Sequence, residues 1–198
     1  MLKKNFANSG LEAGCDEAGR GCLAGPVVAA AVIFPHDFDN DLLNDSKKLT
    51  EYQREKLRIV IEQNAVAWAV ACVDNCKIDE INILNASFLA MHLALDQLAV
   101  KPALILVDGN RFLPYPNILH KCIVGGDGKF MSIAAASILA KTHRDDYMRR
   151  IDAEFPHYNW KQNKGYPTIE HRKAVMDFGK TPYHRLSFKI NFQLRMNI

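Results

Sequence analysis

Apolar and polar positions along the chain alternate with two different periods. Residues 11–16, 26–34 (PVVAAAVIF), 65–73 (AVAWAVACV), 103–107 and 118–124 are short apolar runs and predict five strands; the third is the most continuously apolar after the second and is expected in the centre of the sheet. Between them the spacing becomes helical. Thr50 and Gln53 stand at the two positions of a capping box, and Leu57, Val60 and Ile61 follow on one face. Residues 78–83 read as a connection into a helix over 86–98, whose stripe is Phe88, Met91, Leu95 and Leu98 and which Lys101-Pro102 ends. A long helix is predicted over 132–148, with small residues suited to close packing on a sheet, and a short one over 168–178, stopped by Gly179. The order is strand, strand, helix, strand, helix, strand, strand, helix. The short link between the first two strands predicts an antiparallel pair, and the whole predicts an α/β fold: a mixed sheet with helices on both faces and one core.

Composition narrows this to a soluble globular chain. With 198 residues, 48% hydrophobic and 24% charged, it forms one sizeable domain over residues 1–198, without repeat or linker. The longest apolar runs are too short to cross a bilayer, and the opening MLKKNFANSG lacks the apolar core of an export signal, so a cytoplasmic protein away from membranes is expected. Five cysteines without a CxxC pair fit reduced thiols, and Cys72 and Cys76 lack the partners of a zinc site. The net charge of +3 is unevenly spread. Residues 1–155 carry 17 Lys and Arg against 20 Asp and Glu; residues 156–198 carry 8 against 2. A basic final segment packed on an acidic body suits a carboxylate site that must attract a polyanion; it equally suits an ordinary solvated surface.

The candidate chemistry gathers at strand ends. Asp16 and Glu17 precede the turn Gly19-Arg20-Gly21, Asp108 ends the fourth strand, and Asp127 stands among glycines after the fifth. In open α/β sheets ligand groups collect beyond the carboxyl ends of neighbouring strands, so parallel first and fourth strands would bring Asp16 and Asp108 together. Successive strand residues face opposite ways, so Glu17 joins Asp16 only if the chain bends between them, which the glycine turn allows. Carboxylates crowded in one cleft repel one another unless cations neutralise them. With no histidine or cysteine cluster in competition, an all-oxygen set favours Mg²⁺ or Mn²⁺, and two such ions about 3.5–4 Å apart form a clamp for phosphodiester hydrolysis. Taken alone, an acidic pair before a glycine turn also describes a solvated hairpin. His92 reads as structural or solvent-facing rather than as a ligand.

The ordered motifs DEAGRG, GPVVAAAV, NDSKKL, LVDGN, GGDGK, AAASILAKTHRD, KGYPT and HRLSF resemble the bacterial type 2 ribonuclease H family, ribonuclease HII, over most of the chain. The resemblance implies a ribonuclease H-like fold with a five-stranded mixed sheet flanked by helices. It implies Mn²⁺- or Mg²⁺-dependent cleavage of RNA in RNA–DNA hybrids and at ribonucleotides embedded in duplex DNA. It makes Asp16, Glu17, Asp108 and Asp127 the catalytic and metal-binding acids. It gives recognition of the 2′-hydroxyl to Gly19, Arg20, Gly21 and Tyr166. Tyr166 taken alone reads equally as a half-buried core tyrosine. Asp145 in THRD is a candidate fifth acid, read as a helix-surface or supporting residue. Lys47, Lys129, Lys141, Lys164 and Arg185 are candidate phosphate ligands, which would position a duplex without reading its sequence. The expected protein is a monomer. The rival readings are another metal nuclease on the same sheet, such as a junction resolvase or exonuclease, and a non-catalytic nucleic-acid-binding module.

Overall fold

The computed structural model describes residues 2–7, 10–43, 46 and 48–190. Its centre is a five-stranded sheet in the order β3-β2-β1-β4-β5. The strands are β1 (Glu12–Ala18), β2 (Val27–Ile33), β3 (Ala67–Val73), β4 (Leu104–Asp108) and β5 (Leu119–Ile123). β1 pairs antiparallel with β2 and parallel with β4, as its short link to one and helical crossover to the other require; β2–β3 is antiparallel and β4–β5 parallel.

The third strand lies at an edge, not in the centre. Its burial alternates: Ala67, Ala69, Ala71 and Val73 are buried, whereas Trp68 and Val70 are half-buried and Cys72 is exposed. The alanines that made the run look uniformly apolar cover one face only. The fully buried strand is β2, all seven residues of which are inside.

The strand period divides the core into two layers. Ala13, Cys15, Val27, Ala29, Ala31, Ile105 and Val107 face helix α2 (Asn75–Asp96). Ala30 and Val32 face helices α1 (Glu51–Asn64) and α3 (Met131–Glu154). Thr50 and Gln53 complete the expected capping box of α1, and Leu57 and Ile61 are its buried residues. Helix α2 starts earlier than its apolar stripe predicts. Residues 75–81 are already helical, and Asn82, at φ 65°, breaks the path. Its Oδ1 accepts from the backbone N–H groups of Leu84 and Asn85, so it caps the amphipathic portion from within. His92 is structural: its Nε2 is 2.9 Å from the Leu113 carbonyl.

Helix α3 fits closely on β1 because β1 has glycine at the crossing. A Cβ on Gly14 would lie 2.1 Å from the Ser132 carbonyl carbon. Past α3 the chain forms α4 (Trp160–Asn163) and α5 (Ile169–Phe178) around a small core of Met148, Ile151, Tyr158, Trp160 and Val175. It then returns to the β1–β2 turn, where Gly25 N–H donates to the Tyr183 carbonyl and Arg185 N–H to that of Leu23. Among the described residues no helix is long and apolar enough to cross a membrane.

Candidate active site

The parallel pairing of β1 and β4 puts Asp16 and Asp108 at adjacent strand ends, both on the α3 side by the period of two. Asp127 reaches the same point from the Gly126–Gly128 turn just before α3. One oxygen from each of these three carboxylates lies within 4.8 Å of the other two. The local backbone holds them: Glu17 N–H donates to Asp16 Oδ1 at 2.7 Å, and Gly126 N–H to Asp108 Oδ1 at 2.7 Å.

Glu17 is not in that set, because the expected bend does not occur. β1 stays regular through Ala18, with Glu17 paired to Ala29, and so the side chain emerges on the α2 face. Its Oε1 accepts from Arg20 Nη1 at 3.1 Å. It nevertheless borders the same cleft, a space of about 290 Å³ lined also by Asp16, Gly19, Arg20, Asp108, Lys141 and Tyr166. Gly21 lines it as well.

The electrostatics are those of a site made for cations. Burial raises the Asp16 carboxyl well above its ordinary range, and the charges of Glu17 and Asp108 push it further; hydrogen bonds from Ser137 and the Glu17 backbone oppose them. Burial also raises Glu17, against the pull of Arg20. Desolvation together with like charge leaves the carboxylates short of positive charge, which an ion bound by oxygens would supply. The three-carboxylate donor set therefore fits a hard divalent cation.

Tyr166 stands half open at the rim, and burial of part of its ring raises its phenol. Lys141 is the phosphate candidate that reaches the cleft; its Nζ is 3.1 Å from Asp145. Asp145 is buried rather than on the helix surface, because its place on α3 faces inward and Lys141 covers it. Lys129 lies outside the cleft lining, donating to the Val124 carbonyl at 2.6 Å. Lys164 is nearly covered, with Nζ 3.7 Å from Glu51. Lys47 falls outside the described residues. Arg185 cannot serve as a phosphate ligand: it is 1% exposed, and its guanidinium donates to the carbonyls of Gly19, Arg20 and Gly25.

Three contributors escape the sequence reading. Ser137 bonds toward Asp16, Ser46 Oγ lies 2.9 Å from Ser137 Oγ, and buried Arg144 lies under the turn. Residues 137, 141, 144 and 148 form one row of α3, and that helical spacing is the signal by which Ser137 and Arg144 could have been found.

A family model described as Ribonuclease HII matches residues 13–191. A protein named Ribonuclease HII from Bacteroides thetaiotaomicron is 64% identical over 189 residues, 94% of each chain. Its namesake from Porphyromonas gingivalis is 58% identical, over 96% of this chain and 94% of that one. Among solved structures, the ribonuclease H2 from Pyrococcus horikoshii superposes with a TM-score of 0.76 at 26% identity, covering 91% of this chain and 94% of that one. Bst-RNase HIII in complex with Mn²⁺ superposes at 0.70 and 18% identity, over 91% and 67%, a likeness of fold.

Proposed function

This chain belongs to the ribonuclease HII family, and from that premise we propose that it hydrolyses the RNA strand of RNA–DNA hybrids and nicks duplex DNA on the 5′ side of an embedded ribonucleotide. The observation that carries this reading is one cleft in which three carboxylates converge, with Gly19, Arg20, Gly21 and Tyr166 at its rim. The first feature suits phosphodiester hydrolysis, and the second suits a check on the sugar. A junction resolvase or exonuclease would use the acids without the rim, and a simple binding module would need neither.

Asp16, Asp108 and Asp127 would hold divalent cations, with Glu17 completing the acidic set from the opposite face of β1. Two ions of Mn²⁺ or Mg²⁺, when bound, supply activation of the attacking water and neutralisation of charge on the leaving 3′-oxygen. The protein's own groups orient the substrate. Backbone groups of the glycine turn approach the sugar where side chains would obstruct, and the 2′-hydroxyl can both donate to and accept from them. The Tyr166 ring packs on the neighbouring sugar while its hydroxyl bonds the same oxygen. Lys141 adds positive charge beside the phosphate. Cleavage leaves a 3′-hydroxyl and a 5′-phosphate, the ends required for ribonucleotide removal and RNA primer processing.

The test is Asp108→Asn with duplex DNA containing one ribonucleotide and added Mn²⁺. Cleavage should fall by at least about 10³-fold, since the substitution removes a charge from the cation site, while hybrid binding persists. Retained activity would remove Asp108 from the site.

A further inference from the structure

Two arginines are almost entirely inside this protein, and all their hydrogen bonds among the described residues go to backbone carbonyls. Arg144 is 2% exposed and Arg185 1%. Arg144 donates through Nε to Pro26, through Nη1 to Lys164 and through Nη2 to Ala24, at 3.0, 2.8 and 3.1 Å. Arg185 donates through Nε to Gly25, through Nη1 to Arg20 and through Nη2 to Gly19, at 3.0, 2.9 and 2.7 Å. Five of the six acceptors lie in residues 19–26, the loop that borders the cleft. Burying a guanidinium is unfavourable unless its donors are satisfied, and here two such groups are spent on one loop.

The direction of the bonds matters more than their number. In a trans peptide the C=O and the following N–H point opposite ways, and the described chain has no cis peptide. With the Gly19 and Arg20 carbonyls turned inward onto Arg185, the N–H groups of Arg20 and Gly21 turn the other way, toward the cleft that these residues line. Arg144 fixes the same turn from beneath. A Cβ on Gly19, at φ +95°, would lie 2.0 Å from Arg144 Nε, so the glycine is required by the guanidinium passing under it. Through the Lys164 carbonyl, Arg144 also ties the loop to the segment that carries Tyr166, and Leu23 N–H donates to the Gly165 carbonyl at 2.7 Å beside it.

We propose that Arg185, seconded by Arg144, is a positioning residue for sugar discrimination: it holds the Gly19–Gly21 peptide planes with their N–H groups facing the substrate 2′-hydroxyl and registers that turn against Tyr166. The proposal rests on the function argued above. Lysine at position 185 keeps the charge but lacks the planar fork that reaches three carbonyls at once.

The experiment compares unaltered protein with Arg185→Lys on two duplexes of one sequence. One holds a single ribonucleotide and is scored by kcat/KM; the other is all DNA and is scored by its inhibition constant as a competitor. For Arg185→Lys, kcat/KM should fall by about tenfold or more, the loss of roughly one well-directed hydrogen bond. The inhibition constant for DNA should stay within about twofold, because phosphate contacts that ignore the sugar remain. An equal loss on both duplexes, or none on either, overturns the clamp. An unaltered protein that does not cut at the ribonucleotide overturns the function and this proposal with it; one that does, beside an equally discriminating variant, overturns the proposal alone. Should Arg185→Lys fail to fold, the Arg185 Nε–H resonance of unaltered protein in chelator supplies the measurement. It should move on adding the ribonucleotide duplex and not on adding the DNA duplex, and equal movement with both overturns the proposal.

Discussion

Asp16 is a buried acid beside two others, and its protonation state depends on what the cleft contains. Desolvation and the charges of Glu17 and Asp108 raise it well above the usual carboxylate range. The Asp16 carboxyl of the cation-free site therefore keeps its proton to higher pH than an ordinary aspartate, and cation affinity weakens as pH falls through that raised range. Calorimetric titration with Mn²⁺ in two buffers of different ionisation enthalpy should give different apparent heats, in the sense of net proton release. Equal heats in the two buffers would contradict the raised pKa. Ser137→Ala removes a hydrogen bond that holds the Asp16 pKa down, so it should increase the proton release and weaken Mn²⁺ binding several-fold, about the value of one such bond. The three acids that converge were legible in the sequence because strand ends and glycines mark them. The role of Arg185 was not: a sequence gives the charge of an arginine but not which way it points, and this one points inward.

The contact of β1 with α3 brings the acids together, since β1 carries Asp16 and the turn entering α3 carries Asp127. Gly14 sets their separation. A Cβ there would meet Ser132 C, Ile133 N and Ser132 O at 2.1, 2.3 and 2.4 Å, all of them backbone atoms that cannot rotate away. Gly14→Ala should lower stability in urea unfolding by about 3 kcal/mol, the upper range for forced overpacking. It should also weaken Mn²⁺ binding in the remaining folded protein, because the start of α3 moves with its turn. A variant of full stability and affinity would show that the contact is soft. The order of elements and the antiparallel first pair followed from hydrophobic period and link length. The place of β3 did not, because alanine satisfies both a buried and a half-covered strand. Nor did the break at Asn82, whose positive φ depends on a cap formed only once the helix on its far side exists. The bend expected between Asp16 and Glu17 is absent for a simpler reason: the turn begins after Ala18, not between the acids, and the strand's alternation carries through.

At the scale of the whole molecule, the basic final segment is held together internally by a neutral histidine pair. His171 Nδ1 lies 3.0 Å from the Tyr166 carbonyl and so carries the proton, leaving Nε2 to accept from Trp160 Nε1 at 3.0 Å. Thr181 N–H donates to His184 Nδ1 at 2.9 Å, so His184 holds its proton on Nε2, 3.2 Å from His171 Nε2. Each ring has one proton and a partner for it, and an added proton on His171 Nε2 would face the N–H groups of Trp160 and His184. Burial lowers both histidines; His184 falls from 6.5 to about 4, with the neighbouring His171 and Lys180 adding to the effect. The unfolded chain takes up a proton at this position near pH 6.5, and the native His184 does not until about pH 4. Stability is therefore fully present above pH 6.5 and declines as pH falls through that window. From His184 alone the loss between pH 7 and pH 5 should be about 2 kcal/mol, read from urea unfolding at the two values. His184→Asn should be less stable at pH 7, because the bond to His171 and the ring's packing on Tyr158 and Trp160 are lost, but its decline between pH 7 and pH 5 should be smaller by that same amount. An unchanged decline would show that the pair titrates normally. Because a proton on His171 Nε2 turns the acceptor of the Trp160 N–H into a third donor, acid should also loosen the packing of the final segment before the sheet, and amide exchange near residues 160 and 184 should rise as pH falls ahead of exchange in β1 and β2.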